Sequence, residues 1–336
     1  MRIAVIGTGA IGGTVAALLH SAGHEVEVTA RRAGLAAIRA DGIRLDGAWG
    51  EHRARVAAAE RLDGRPELAF ICTKAQDAEA AITDNRNVLD GIPVVIVQNG
   101  LDGLDAAIRL LPGSNCVGAL ALYAAQHVEP GHVTVTAAGP TYLGAGSGEP
   151  APTADRLAGI LDAAMPARAT RNFVGCQWSK LVINMVNAVP AATGLSVQQS
   201  IHDRELGRIV TASMRETVRI ALAIGIRFGA LQGLSHPLLR AFSVAPLRAG
   251  HALPAAMARR MGATPNLGST QQSIRRGQLT EIDFLNGAVV MAAATIGRAA
   301  PVNAALVGAV HEVERTGAFL STAELAETVL PLLRSA

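Results

Sequence analysis

The chain reads as an α/β protein: a Rossmann-type doubly wound sheet followed by an all-helical C-terminal domain. Three observations predict this. Short apolar runs alternate with helical patterns through the first third, the βαβ pattern of a parallel sheet. A glycine-rich loop separates the first apolar run from the first helical pattern. Strand signals nearly vanish beyond about Phe173, where helical periodicity takes over. The 336 residues suggest two domains at roughly 100–200 residues each. We expect the boundary near 166–172, dividing residues 1–168 from 169–336.

Taken in order, Arg2-Ile-Ala-Val-Ile6 is a buried-strand run, and a small-residue helix follows over about 11–22. Residues 24–29 alternate and predict a second strand. Residues 68–72 and 93–97 are two further buried-strand runs. Residues 117–146 turn to β signals and Gly-rich turns, with 132–136 alternating. The segment 146–152 (GSGEPAP) is the clearest turn-rich break, and a helix pattern follows at 154–165. Helical periodicity then dominates over 177–187, 204–224, 282–297 and 323–333. No internal repeat is visible.

Composition excludes several function classes. Half the residues are hydrophobic and only 17% are charged, which favours a large core over disorder. No apolar run reaches the roughly 18 residues of a spanning helix. Residues 2–23 could pass for a signal peptide, but glycines at 7, 9, 12 and 13 interrupt any apolar region. A net charge of +3 and ten aromatics give no support for nucleic-acid binding. Cys72, Cys116 and Cys176 are far apart, with no metal-ligand spacing. Neither a disulfide framework nor a metal site is expected, and the cytoplasm is the expected compartment.

Gly7-Thr8-Gly9-Ala10-Ile11-Gly12 fits G-x-G-x-x-G in a strand–loop–helix frame. Gly7 makes the tight turn, Gly9 lets the backbone approach a pyrophosphate, and Gly12 lets helix and strand pack closely. The helix N-terminus supplies N–H donors and partial positive charge. Residues 1–168 are therefore expected to bind a dinucleotide. The second strand ends Thr29-Ala30-Arg31-Arg32, with no acid for a ribose 2′-hydroxyl. Arginine there suits the 2′-phosphate of NADP(H), and Arg31, nearer the strand, is the expected contact.

Of 30 basic residues, only Lys74 and Lys180 are lysines. In a chain that otherwise uses arginine, these two mark places for a compact ammonium that can release a proton. Lys74 follows the strand at 68–72, and Asn99 follows the strand at 93–97. Both stand at strand C-termini, the ligand edge of an open parallel sheet, so Lys74 is expected to face the cofactor and Asn99 to reach the nicotinamide side of the cofactor or the substrate. Lys180 and Asn184 lie one helical turn apart on one face, in a helix apolar nearly all round. A lysine buried there has a depressed pKa, which suits proton transfer. Asn266 and Ser269 offer neutral hydrogen-bonding groups in a loop. Glu281 and Asp283 both stand near a helix start, and pattern alone does not choose between them.

These pieces, together with Gln98-Asn99-Gly100, Thr280-Glu281-Ile-Asp283 and Ala300-Pro301-Val302-Asn303, resemble the ketopantoate reductase (2-dehydropantoate 2-reductase) family in order and spacing. The resemblance spans nearly the whole chain. It implies an NADP-binding Rossmann domain and a helical substrate and dimerisation domain. It also implies an NADP-dependent oxidoreductase acting on CH–OH, reducing 2-dehydropantoate to pantoate in pantothenate biosynthesis. By resemblance, Lys180 is the general acid and Glu281, rather than Asp283, orients the substrate and helps hold the lysine. Asn99, Asn184, Asn266 and Ser269 line the substrate site, while Lys74 and Arg31 belong with the cofactor. A homodimer through the helical domain is also implied. One departure stands out. The family often has a second Asn four residues after the first, where this chain has Ala188 beside Asn187, and Gln198 and Gln199 stand farther on. Those positions are expected to touch substrate. The alternatives are a paralogue reducing another 2-oxo acid or an imine (opine-type), and a non-catalytic NADP(H) sensor.

Overall fold

The computed structural model describes residues 1–146, 152–262 and 264–334. Most of the predicted turn-rich break, residues 147–151, lies outside the described residues. Two compact units divide the chain, Met1–Phe173 and Val174–Ala336. The expected 168/169 boundary falls within the last strand of the first unit.

The first unit carries twelve strands: β1 (Arg2–Ile6), β2 (Glu25–Thr29), β3 (Ile43–Gly47), β4 (His52–Ala54), β5 (Ala57–Ala59), β6 (Leu68–Ile71), β7 (Val94–Val97), β8 (Cys116–Ala121), β9 (Ala124–Glu129), β10 (His132–Ala137), β11 (Thr141–Gly144) and β12 (Ala167–Ala169). Eight form one sheet in the order β12-β11-β8-β7-β6-β1-β2-β5. Its central strands are parallel, as buried apolar runs such as Val94–Val97 dictate. The strand β11 joins antiparallel to β8, so the sheet is mixed. Strand order reverses at β1, with β2 on one side and β6 on the other. That reversal leaves a crevice at the strand C-termini.

The remaining four strands form a second sheet, β4-β3-β10-β9. Helix α1 (Ala10–Ser21) packs against β1 and β2 on one side and against β3, β4, β9 and β10 on the other. All residues from Gly12 to Leu19 are buried. Small side chains make this fit. A Cβ added at Gly13 would come within 2.9 Å of Val133 Cγ1 in β10. The Ala- and Gly-rich composition of α1 is thus a consequence of double-sided packing. Helices α2 (Arg32–Asp41) and α3 (Ala75–Asp84) follow β2 and β6.

The second unit is helical, with no strand among its described residues beyond an isolated bridge between Leu231 and Leu234. Its longest helix, Arg204–Ala223, is capped by Asp203, whose carboxylate accepts from Glu205 and Leu206 N–H at 2.9 Å. A buried polar cluster ties it to the helices Asn286–Thr295 and Pro301–Thr316. Glu216 accepts from the Val302 and Asn303 backbone N–H groups at 3.2 and 2.8 Å and from Asn303 Nδ2 at 2.7 Å. Asn303 Oδ1 accepts from Ser213 Oγ and Asn286 Nδ2, both at 2.8 Å. Glu216 therefore satisfies N–H groups at the start of the Pro301–Thr316 helix, whose own side chains provide no cap. Burial raises its pKa, and these hydrogen bonds oppose the rise. Removing one partner from such a cluster leaves several buried donors unmet. Glu216→Ala is expected to lower unfolding free energy by roughly 2–4 kcal/mol, read from urea denaturation of the purified protein.

Candidate functional site

Each unit carries its own group of candidate residues. In the first, β1 ends at Ile6 and the glycine loop begins. Gly7 adopts φ +91°, a conformation that favours glycine. A Cβ there would meet Thr73 Cγ2 at 2.9 Å. The Gly7 N–H donates to Thr29 Oγ1 at 3.1 Å, which ties the loop to the end of β2. A Cβ at Gly12 would run into the Gly7 carbonyl oxygen. Gly9 differs: it is exposed, and nothing lies within 4 Å of where its Cβ would stand. Gly9 is also the N-cap of α1, and no side chain caps the helix. Open space in front of uncapped N–H groups fits a pyrophosphate, so the loop passes the test for a dinucleotide.

At the end of β2, Thr29 and Ala30 are buried and Arg31 is exposed at the N-cap of α2. The nearest acid on that strand is Glu27, two residues before its end. An acid does arrive from elsewhere. Asp84, the last residue of α3, lies 4.0 Å from the Arg31 guanidinium and 3.1 Å from that of Arg61. All three side chains are well exposed, so these pairs contribute little to stability. Arg61 was not identified from sequence. It comes close because β5 pairs with β2 and delivers residue 61 beside residue 31.

Lys74 is the N-cap of α3, directly after Thr73. Asn99 follows β7 and is half-buried. Gln98 Nε2 donates to the Thr73 carbonyl at 3.1 Å. This bond joins the segments that carry Lys74 and Asn99, and Thr73 in turn touches the glycine loop. The loop, Lys74 and Asn99 thus share one edge of the sheet. Neither Thr73 nor Gln98 is a candidate on sequence alone: Thr73 gives no signal beyond preceding Lys74, whereas Gln98 stands in the Gln98-Asn99-Gly100 motif.

In the second unit, the helix Phe173–Asn184 passes into a 3₁₀ turn, Met185–Asn187, and then the short helix Ala188–Thr193. Leu181, Val182, Met185 and Val186 are buried. Gln177, Lys180, Ile183, Asn184 and Asn187 are half-buried and recur every three or four residues. The segment is therefore buried on every side but one, and that stripe carries the ammonium and three side-chain amides, those of Gln177, Asn184 and Asn187. Burial lowers the Lys180 pKa to about 8, and the nearby negative charge of Glu281 opposes the drop. Glu281 and Lys180 are thus close enough to interact. Asp283 faces elsewhere: it is exposed and bonds His311 Nε2 at 3.1 Å. The geometry separates two acids that spacing leaves equivalent.

Asn266 and Ser269 lie at the start of the helix Gly268–Arg275. Asn266 Oδ1 accepts from the Gly268 N–H at 2.8 Å, and Ser269 is exposed. Gln198 and Gln199 do not present free amides, contrary to expectation. Gln199 completes a capping box with Ser196, and Gln198 is held by the loop before Asn266. Both sit where local backbone groups compete for a side-chain amide, and those groups win.

Residues 3–148 match the sequence profile of the family described as ketopantoate reductase PanE/ApbA. Residues 172–314 match that of its C-terminal domain. The chain belongs to the ketopantoate reductase family. Among its relatives, the 2-dehydropantoate 2-reductase of Pyrococcus abyssi is 26% identical over 320 residues, 94% of this chain and 98% of the relative. That of Archaeoglobus fulgidus is 26% identical over 315 residues, 93% of this chain and 98% of the relative. The structure of a PanE/ApbA family ketopantoate reductase from Ralstonia eutropha JMP134 superimposes with TM-score 0.78 at 27% identity, covering 94% of this chain and 99% of that one. D-mandelate dehydrogenase with NADH and anilino(oxo)acetate shares the fold at TM-score 0.80 and 21% identity, covering 94% and 99%. As a member of this family, the protein is an oxidoreductase acting on CH–OH.

The three cysteines are buried and free. Among the described residues, no helix is long and apolar enough to cross a membrane.

The two glycines make opposite predictions. Gly9→Ala has room for its methyl group and is expected to keep its melting temperature within about 2 °C. Dinucleotide binding should nevertheless weaken about tenfold or more, because the methyl enters the space left for the pyrophosphate. Gly12→Ala is expected to lower both. Thermal melts and fluorescence titration with NADPH separate the two cases.

Proposed function

We propose that this protein reduces 2-dehydropantoate to pantoate, with NADPH as the hydride source. The observation that carries the reading is Lys180: an ammonium with its pKa near 8, beside Glu281, on the one open stripe of a buried helix. Membership in the ketopantoate reductase family and the names of the full-length relatives support it.

When bound, the dinucleotide supplies a hydride to the carbonyl carbon of the 2-oxo acid. The remaining work falls to this chain. Negative charge building on the carbonyl oxygen is met by the Lys180 ammonium, which donates the proton that completes the hydroxyl. Glu281 favours the charged form of Lys180 and accepts a hydrogen bond from the substrate hydroxyl. Asn99, Asn184, Asn266 and Ser269 offer neutral donors and acceptors to the rest of the substrate. The N–H groups at the start of α1 take the pyrophosphate, and Lys74 adds positive charge at the same sheet edge. Arg31 takes the 2′-phosphate, since no acid on β2 is placed to hold a ribose hydroxyl.

A second reading keeps the chemistry and changes the substrate. Ala188 is buried and has no amide, and Asn187 lies against Gly268. A 2-oxo acid other than ketopantoate, asking for one fewer amide contact, fits that departure. NADPH oxidation with ketopantoate, beside a panel of 2-oxo acids, decides between them. Turnover of a different acid alone replaces the first reading with the second. No turnover of any acid overturns both.

Two variants test the assignments. Reduction needs the protonated amine, so kcat is expected to fall as pH rises through about 8. Lys180→Ala should lose about 10²–10⁴ in kcat and the alkaline limb with it; full activity would remove Lys180 from the mechanism. Arg31→Ala is expected to raise the KM for NADPH about tenfold, the scale of one charge-assisted hydrogen bond. The KM for NADH should change less than twofold. Equal effects on both cofactors would remove Arg31 from the 2′-phosphate.

A further inference from the structure

Asn266 stands in the loop that leads into the helix Gly268–Arg275, and Ser269 is the second residue of that helix. Between the helices Ala252–Arg260 and Gly268–Arg275 the chain has no regular structure among its described residues. Its ties come from the short helix Val197–His202, more than sixty residues earlier. The Val197 N–H donates to the Asn266 carbonyl at 2.8 Å. The Gln198 side chain then bonds on both sides of its amide. Its Oε1 accepts from the Asn266 N–H at 2.9 Å, and its Nε2 donates to the Thr264 and Gly262 carbonyls at 2.8 and 3.2 Å. One side chain thus engages three backbone groups spread over five residues.

The consequence passes directly to the candidate substrate groups. Residues 197 and 198 hold both backbone polar groups of Asn266, its N–H and its carbonyl. The Asn266 side chain in turn accepts from Gly268 N–H and sets the turn into the next helix. Gly268 takes φ +69° there, and its missing Cβ leaves room for Asn187, whose Oδ1 would lie 2.5 Å from that atom. The Asn187 amide that departs from the family pattern thus abuts the same turn. Ser269 follows immediately.

We propose that Gln198 is a positioning residue for the substrate, holding the backbone at Gly262, Thr264 and Asn266 so that Asn266 and Ser269 meet the 2-oxo acid. This rests on the proposed reading of Asn266 and Ser269 as substrate groups. An amide suits the role because the loop presents one donor and two acceptors. A carboxylate would face two carbonyl oxygens with no hydrogen to offer. A methionine would fill the space and make none of the three bonds.

The test compares Gln198→Met and Gln198→Glu with Ser196→Ala, which removes the cap of the same short helix and leaves the loop bonds in place. For both Gln198 variants the KM for ketopantoate is expected to rise about tenfold, the scale of one or two hydrogen bonds. The KM for NADPH should stay within twofold and kcat within threefold. Ser196→Ala should lower the melting temperature with no such split. A melting loss in Gln198→Met with unchanged ketopantoate KM would reduce the clamp to a structural role and overturn the proposal. Equal changes in both KM values would do the same. Hydrogen exchange of the peptide spanning 262–270 scores the clamp whatever the substrate. It should quicken in Gln198→Met and not in Ser196→Ala, and unchanged exchange overturns the inference. Wild-type protein inactive on every 2-oxo acid would instead overturn the functional reading, with the exchange result still deciding the clamp.

Discussion

A helix held between two sheets has little freedom to tilt or slide, and the first unit depends on that restraint. Helix α1 is buried from Gly12 to Leu19, with the main sheet below it and the four-stranded sheet above. Its N-terminus is therefore fixed relative to the ends of β1, β2 and β6. The Gly7 N–H to Thr29 bond and the Gly7–Thr73 contact extend the restraint through the loop. The fixed N–H groups are what an anion at that edge requires, because dipoles already oriented need not reorganise when charge arrives.

The second unit solves a different electrostatic problem. An ammonium in a largely apolar helix is costly, and a lysine answers by lowering its pKa. Glu281 limits that fall, so the amine ends near neutrality and does not become a neutral base outright. Elsewhere in this unit the opposite device is used. Glu216 has no counterion at hydrogen-bond distance among the described residues and is satisfied by amide donors. One acid acts on a buried ammonium, and the other satisfies the start of a helix.

Much of this was legible in the sequence, and the limits have physical causes. The central strands are short, fully apolar runs, and the glycine loop is a local pattern whose spacing reflects close packing, so both are legible directly. Lys180 and Asn184 share a helix face because four residues make about one turn. The second sheet was not assembled from the sequence, although 117–146 was read as β. Its strand β4 is three residues long and partly exposed, so hydrophobic periodicity has too few positions to act on. Glu281 and Asp283 differ by two residues near a helix start, and only packing sends one toward Lys180 and the other toward His311. The tasks of Gln198 and Arg61 are set by contacts with residues distant in the chain, which no local pattern encodes.

The double-sided burial of α1 also bears on the order of assembly. A twelve-residue helix rich in glycine and alanine, with no charged residue, has little stability alone. It gains its structure from neighbours, and two of those, β9 and β10, lie more than a hundred residues downstream. During synthesis the glycine loop emerges first, yet it acquires its final form only after residue 137 is available to close the second sheet. The anion-binding end of the protein is encoded at the start of the chain and completed late, so a nascent chain cut short before β10 carries the motif without the site.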